Sequence, residues 1–579
     1  MPDRDGGAIV GEVLARRGIR FLFTLCGGHI SPILVGAKAC GIKVVDMRDE
    51  KNAVFAADAV ARMTGVPGIA AVTAGPGVTN AVTAVKNAQM AQSPVVIFGG
   101  ATPTILKGRG ALQDIDQMSL MKPITKWTTS VRTVSALGPT VDKALELATE
   151  GVPGPVFLEV PVDVLYPESL VKEWYIKESG VEHASGLGAR ALELYLRGHL
   201  YRQFHAPHVG LELPRLEIPR PRRNGSVADA AAVLRNAQRP ALVIGSQTLV
   251  NVSDPGPLAR AVEELGIPTW LGGMARGLLG RTSPVQFRHA RGKSLKEADV
   301  VVVTGFPFDF RLGYGRSISS KATLIAANLS PVDLRKNRKP EIAVEMHPGQ
   351  FLQELAAAVG EPQRREPWFA TVREREQARD AQIADQAGAS GELVNSLAFF
   401  RTLEDKLADD SVLVVDGGDF VATAAYILRP RRPLSWLDPG VFGTLGVGGG
   451  FAVGASLCRP GAQVWLIYGD GSSAYSLSEF DTCVRHGLAP IAVIGSDGAW
   501  SQIAREQVEI LGDDVGTVLR RTDYQKVAEG YGGVGFLLTD PADTERVLDQ
   551  AIEASQAGKP VCINVHIGRS DFRKGSISM

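Results

Sequence analysis

The stretch AQVWLIYGDGSSAYSLSEFDTCVRHG, residues 462–487, carries the reading that decides the fold. Its apolar run, Val464 to Tyr468, breaks at the small residues Gly469-Asp470-Gly471-Ser472-Ser473 and gives way to an acidic, amphipathic segment. Apolar run, tight turn and helix in that order describe a buried parallel strand whose C-terminal end feeds a helix. Backbone N–H groups exposed at such a turn suit a diphosphate. Asp470 offers a hard carboxylate oxygen of the kind magnesium prefers. Asp-Gly alone is a common turn pair, so the spacing to the next turn matters. A second apolar run, APIAVIGSD (489–497), ends in Gly495-Ser496-Asp497-Gly498-Ala499-Trp500, with Asp497 standing 27 residues after Asp470.

The same alternation extends outward in both directions. SVLVVDGGD (411–419) and KPVCINVHIG (559–568) complete a C-terminal block from residue 392 to 579. PALVIGSQ (240–247), IPTWLGG (267–273), ADVVVVTG (298–305) and ATLIAANL (322–329) form a central block over 226–360. FLFTLC (21–26), KVVDMRD (43–49), GIAAVTAGPG (68–77), PVVIFGG (94–100) and PVFLEVPVDV (155–164) form a first block over 1–175, with helical segments at 52–65 and 78–92. Continuous apolar strands separated by helices predict parallel sheets covered on both faces. The fold expected is therefore α/β, with three consecutive doubly wound parallel-sheet domains. Residues 176–225 read as a linker that includes an amphipathic helix at 189–206 and the Pro- and Arg-rich stretch 213–226. The charged segment 361–391 reads as a helical connector. The three blocks do not repeat in sequence.

Composition narrows the function classes. The 579 residues carry 62 basic and 62 acidic side chains, so no global positive field exists to hold nucleic acid or an anionic membrane. Cys26, Cys40, Cys458, Cys483 and Cys562 form no CxxC pair, which argues against a disulfide framework or a zinc site and suits a cytoplasmic location. No signal peptide or membrane anchor is expected from the acidic start MPDRDGG. The uncharged stretch Val441 to Cys458 contains six glycines and reads as a loop entering a buried helix, rather than a membrane span of roughly 20 apolar residues.

The GDG turn and the later turn at Asp497 resemble the thiamine diphosphate motif of the acetolactate-synthase-like family. The resemblance runs through nearly the whole chain, in the order pyrimidine-binding, central and diphosphate-binding domain. It implies thiamine diphosphate and Mg2+ as cofactors, with metal ligands Asp470, Asp497 and the carbonyl of Ala499. Asp497 departs from the family pattern, which has Asn there. This adds a negative charge beside the diphosphate, and Ser496 is the alternative if the register differs by one. The resemblance also implies cofactor contacts from Thr73, Gly75 and Pro76 of the TAGPG turn, and from Gly418, Gly469, Gly471 and Ser472. Leu445 matches the apolar residue that wedges between the cofactor's rings. Glu50 matches the carboxylate that hydrogen-bonds the aminopyrimidine and so promotes deprotonation of the thiazolium carbon. Taken alone, Glu50 reads as a helix N-terminal carboxylate. His29, after Gly27-Gly28, is a candidate proton shuttle, and Gln113 a positioning residue.

Within the family, GGHISP (27–32), VTAVKNAQMAQSP (82–94), PVDVLYP (161–167), GGMARGLLGR (272–281), VVDGGDF (414–420), WLDPGVFGTLGVG (436–448) and IGRSDFRKGSISM (567–579) are similar to the branch regarded as 2-hydroxyacyl-CoA lyases. That likeness implies cleavage of a 2-hydroxyacyl-CoA to an aldehyde and formyl-CoA, with acyl-CoA and an aldehyde or ketone as partners, in a homodimer or homotetramer. An acetolactate synthase large subunit, or a related 2-oxo acid carboligase or decarboxylase, is the alternative. FAD or ADP in the central domain is admissible but not expected, because AANLSP (326–331) lacks an acidic residue for a ribose hydroxyl. Phe308-Asp309-Phe310-Arg311 partly resembles an Arg-containing loop of the synthases. The tail from Phe572 reads as a lid over the thioester, or as a frayed end.

Overall fold

The computed structural model describes residues 5–180, 186–205, 226–361, 365–568 and 570–573. Two compact units carry three sheets: residues 1–61 with 66–217 form the first, and 62–65 with 218–579 the second. The first unit holds β1 (Phe21–Thr24), β2 (Lys43–Asp46), β3 (Gly68–Val72), β4 (Val95–Ala101), β5 (Trp127–Ser130) and β6 (Val156–Pro161), in the order β2-β1-β3-β4-β6-β5. Every pairing is parallel. One face of this sheet packs a Val-, Ile- and Leu-rich core, and the alternate strand residues Phe23, Ala70, Val72, Ile97 and Phe157 are also buried, as a doubly covered parallel sheet demands.

The second unit holds two sheets. The central one comprises β7 (Pro240–Ile244), β8 (Thr269–Leu271), β9 (Gln286–Phe287), β10 (Val300–Thr304), β11 (Thr323–Asn328) and β12 (Ile342–Glu345), ordered β12-β11-β10-β7-β8-β9. The C-terminal one comprises β13 (Val412–Val415), β14 (Trp436–Leu437), β15 (Val464–Gly469), β16 (Ile491–Ser496), β17 (Val534–Leu538) and β18 (Val561–His566), ordered β14-β13-β15-β16-β18-β17. Its order matches that of the first sheet, strand for strand. In β15 and β16 the apolar residues are buried throughout. Each such Val, Leu or Ile contributes ~1.5–3 kcal/mol relative to exposure.

The expected α/β architecture of three parallel sheets is therefore present. The expected boundary at residue 175 falls inside the helix Glu168–Ser179. The helix Leu187–His205, expected within a linker, buries Leu196 and Leu200 against Val171 and Tyr175 of that helix and belongs to the first unit. Tyr175 and Thr104 both donate to the buried Asp163, and Thr104 also meets His199 at 2.8 Å. The stretch 206–225 lies outside the described residues. The uncharged segment resolves into a loop and the buried helix Gly448–Cys458. Among the described residues, no helix is long and apolar enough to cross a membrane.

Candidate active site

Strand order positions the functional residues. In an open parallel sheet, ligands bind where neighbouring strands send their connections in opposite directions, outside the carboxyl ends. In the first unit that point lies between β1 and β3. β1 leads into Gly27-Gly28-His29, and β3 into Thr73-Ala74-Gly75. His29 Nδ1 lies 3.3 Å from Thr73 Oγ1. Burial lowers the pKa of the His29 imidazole. Gly75 has a left-handed φ of 63° and caps the helix Pro76–Ala91, whose first residue, Pro76, needs no N–H partner. Gln113, also left-handed at φ 63°, packs over Gly75, where a Cβ would come within 2.9 Å of its carbonyl oxygen.

Glu50 is buried at the start of the helix Glu50–Thr64, and its Oε2 accepts a hydrogen bond from Asn80 Nδ2 at 3.1 Å. A Cβ on Gly77 would lie 2.9 Å from Thr73 Cγ2 and 3.5 Å from Glu50 Oε1. Glu50, His29, Thr73, Gly75, Pro76 and Gln113 thus gather around one turn. Two residues that carried no sequence signal complete it. Asn80 orients Glu50, and the buried Gln117 donates to the Gly100 carbonyl at 2.8 Å while accepting from Gly75 N at 3.4 Å.

In the second unit the corresponding point lies between β13 and β15. A cavity of about 370 Å³ opens there, lined by Gly418, Leu445, Gly469, Asp470, Gly471, Ser472, Asp497 and Ala499. Every residue expected on this side of the cofactor therefore faces one space. Asp470 is buried; its Oδ1 accepts from Gly471 N and its Oδ2 from Gly498 N, both at 2.8 Å. Asp497 accepts from Ala499 N at 3.1 Å and from the Ser501 hydroxyl. Burial first, and the Asp497 charge second, push the Asp470 pKa up to about 6. Burial also raises that of Asp497. Two desolvated carboxylates on one cavity wall fit a hard divalent cation. β16 ends at Ser496, whose side chain is fully buried, so Asp497 is the residue that reaches the cavity.

Leu445 is held from below. Asp416, the first residue after β13, accepts from Gly446 N at 2.9 Å and from Gly448 N at 2.7 Å. Complete burial pushes its pKa up to about 7. Gly449 N donates to Ser476 Oγ at 3.0 Å, so side chains satisfy the exposed amides at the start of the helix Gly448–Cys458. Gly417 has no room for a side chain: a Cβ there would lie 2.3 Å from Leu445 Cδ2. Trp500 packs its ring on Gly471, where a Cβ would meet it at 2.5 Å. Asp416 and Trp500 were not singled out from sequence, although a lone carboxylate ending the apolar run VLVVD is a recognisable sign.

In the central sheet, Arg311 folds back onto Asp309 at 2.7 Å and stacks over Phe306. Asn328 accepts from Ser330 N at 2.8 Å.

Comparison with known proteins agrees with this geometry. Residues 4–120 match the thiamine pyrophosphate enzyme N-terminal TPP binding domain, 227–355 the central domain, and 416–565 the C-terminal TPP binding domain. The 2-hydroxyacyl-CoA lyase 2 of Danio rerio is 47% identical over 100% of this chain and 94% of its own length. The human protein of the same name is 46% identical over 100% and 92%. A probable acetolactate synthase of Mycobacterium bovis is 34% identical over 96% and 95%. With both half-sites present and likeness running from end to end, the chain belongs to the thiamine pyrophosphate (thiamine diphosphate) enzyme family, alongside the 2-hydroxyacyl-CoA lyase 2 proteins.

Proposed function

We propose that this enzyme cleaves the C1–C2 bond of a 2-hydroxyacyl-CoA, releasing an aldehyde and formyl-CoA, and that it runs the reverse addition of formyl-CoA to an aldehyde or ketone. The observation that carries this reading is full-length identity of 44–48% to proteins named 2-hydroxyacyl-CoA lyase 2, against 34% to an acetolactate synthase. Bound thiamine diphosphate supplies the electron sink that the bond cleavage requires. Asp470, Asp497 and the carbonyl of Ala499 hold Mg2+, while Gly418, Gly469, Gly471 and Ser472 receive the diphosphate. Leu445, which lines the cavity, would pack against the cofactor's rings. Glu50 holds a proton on the aminopyrimidine ring, and Asn80 keeps its carboxylate in place. His29, neutral near pH 7, takes the proton from the substrate's hydroxyl as the aldehyde forms, and Gln113 orients the substrate.

The working unit in this reading is a homodimer or homotetramer, with Glu50 of one chain and Asp470 of another serving one cofactor. Exposed apolar side chains support it: Leu106, Leu112, Ile115 and Leu120 in the chain segment that carries Gln113, and Ile503, which lines the cavity, with Val508, Ile510 and Leu511 further along its helix, Ser501–Leu511. A cytoplasmic location belongs to the same reading and agrees with five free thiols.

The test is a product assay on purified enzyme loaded with thiamine diphosphate and Mg2+, without added FAD. Aldehyde and formyl-CoA are expected from a 2-hydroxyacyl-CoA, with little reaction of the free 2-hydroxy acid or of pyruvate. Efficient acetolactate formation from pyruvate, with no aldehyde from any 2-hydroxyacyl-CoA, would replace this reading with the synthase one.

A further inference from the structure

In the first unit, β4 runs out into a loop, residues 102–116, that leads to the helix Gln117–Met121. The loop carries Gln113, whose φ of 63° is a left-handed conformation that side chains rarely adopt. A residue stays in such a conformation only where its surroundings fix it. At the far end of the loop those surroundings are Gly75, against which Gln113 packs, and Gln117, which accepts from Gly75 N and donates to the Gly100 carbonyl. Inside the loop the hydrogen bonds are local: Leu106 N donates to the Pro103 carbonyl at 2.9 Å, and Gly108 N to Asp114 Oδ2 at 2.5 Å. Leu112, beside Gln113, is 81% exposed, so the apex takes its position from the two ends of the loop.

The near end is tied to a buried carboxylate. Asp163 is fully buried just after β6, and its Oδ2 accepts from Thr104 N at 2.9 Å, from Thr104 Oγ1 at 2.6 Å and from the Tyr175 hydroxyl. Bonds to a carboxylate are stronger than those to a neutral carbonyl. Burial and the Asp163 charge push the Tyr175 pKa up, so the phenol stays a donor. The Thr104 hydroxyl has one proton, and Asp163 takes it. His199 Nε2, 2.8 Å from Thr104 Oγ1, is then the donor of that second bond. Next along the loop, Ile105 packs on the apolar cluster of Val171, Tyr175, Leu196 and Leu200, and Lys107 pairs with the buried Glu159.

The helix Leu187–His205 therefore reaches the loop by a polar and an apolar route at once. His199 sits between two rings, stacked on Tyr195 with centroids 6.4 Å apart and tilted against Tyr175 at 6.0 Å. A carboxylate is costly to bury, and its donors show what it is there to hold. Two of the three donors on Asp163 belong to Thr104, the third residue past the end of β4. The carboxylate is thus directed at the start of the loop rather than at the join between the two helices.

We propose that Asp163 and His199 are positioning residues, which fix the start of the loop through Thr104 and so set Gln113 against Gly75. That Gln113 acts on the substrate rests on the reaction proposed above; the tether itself does not. The variants are Thr104→Val, which keeps the shape and loses the hydroxyl, Thr104→Ser, which keeps the hydroxyl, and His199→Phe, which keeps a ring and loses the donor. Hydrogen–deuterium exchange by mass spectrometry, on enzyme loaded with thiamine diphosphate and Mg2+ and without substrate, reads the tether. Peptides spanning 102–116 should exchange faster in Thr104→Val and His199→Phe and at the native rate in Thr104→Ser, with melting temperature and the cofactor dissociation constant unchanged. On a 2-hydroxyacyl-CoA, kcat should fall ~10-fold or more in Thr104→Val and recover in Thr104→Ser. Thr104→Val/Gln113→Ala should be no slower than Gln113→Ala alone, because the hydroxyl acts through Gln113. Native exchange in both Thr104→Val and His199→Phe would overturn the proposal. So would losses that multiply in the double variant, since Thr104 would then reach the site by another route. Faster loop exchange in an enzyme whose native form cleaves no 2-hydroxyacyl-CoA supports the tether and removes the reaction instead.

Discussion

Glu50 and Asp470 are both buried carboxylates, but they accept from different donors. Glu50 takes one side-chain amide, from Asn80, and Asp470 takes two backbone amides that fix it in the GDG turn. Glu50→Gln keeps the size and loses the acid proposed to hold a proton on the aminopyrimidine. Turnover should fall ~10²–10⁴-fold while thiamine diphosphate still binds; equilibrium dialysis beside a rate assay checks both, and an unchanged rate would point to another carboxylate. Asp497→Ala removes a hard oxygen and should weaken cofactor binding ~10-fold or more, with partial recovery in excess magnesium. Asp497→Asn removes a like charge beside Asp470 and should bind the cofactor at least as tightly as the native residue. In the proposed mechanism His29 carries the pH dependence. Burial holds its pKa below the ordinary 6.5, so the ring stays neutral until the pH falls through that lower value. The acid limb of kcat/KM should therefore lie below pH 6.5, and should disappear in His29→Asn. At this scale the sequence was most informative where chemistry and spacing coincide, as at Asp470 and Asp497. It was silent on Asn80 and Gln117, whose roles depend on neighbours brought in by folding.

The loop between β14 and the helix Gly448–Cys458 works as an element, because Asp416 and Ser476 cap its amides and Gly417 leaves space for Leu445. Gly417→Ala would drive a methyl into Leu445 and should cut turnover at least tenfold with melting temperature little changed. Gly417→Ala/Leu445→Val should recover part of the loss if displacement of Leu445 is the cause. Legibility followed position in the sheet more than burial, since the buried edge strand β12 was not read while the largely exposed β2 was. The strands read from sequence are the central strands of each sheet together with the edge strand β2. The five not read, β5, β9, β12, β14 and β17, all lie at sheet edges. β9 and β14 have only two residues each, and β5 and β17 are mostly half-buried. Such strands lack the continuous apolar run that marks a strand covered on both faces. The helix Leu187–His205 was visible in its pattern, but its docking was not, since Asp163, Thr104 and His199 are far apart in the chain.

For the whole molecule, the proposed sharing of cofactors between chains makes a definite claim about mass. Light scattering should give at least a homodimer at working concentration, and activity should fall on dilution as the assembly separates. A fully active monomer would exclude shared sites. The separation of Glu50 and Asp470 onto two compact units also has a genetic consequence. Chains bearing only Glu50→Gln and chains bearing only Asp470→Ala are each expected to be inactive. Unfolded and reassembled together in equal amounts, they would form mixed pairs in which one site inherits both damaged halves and the other inherits neither. Two dead alleles would then complement each other, restoring up to about a quarter of native activity by random pairing.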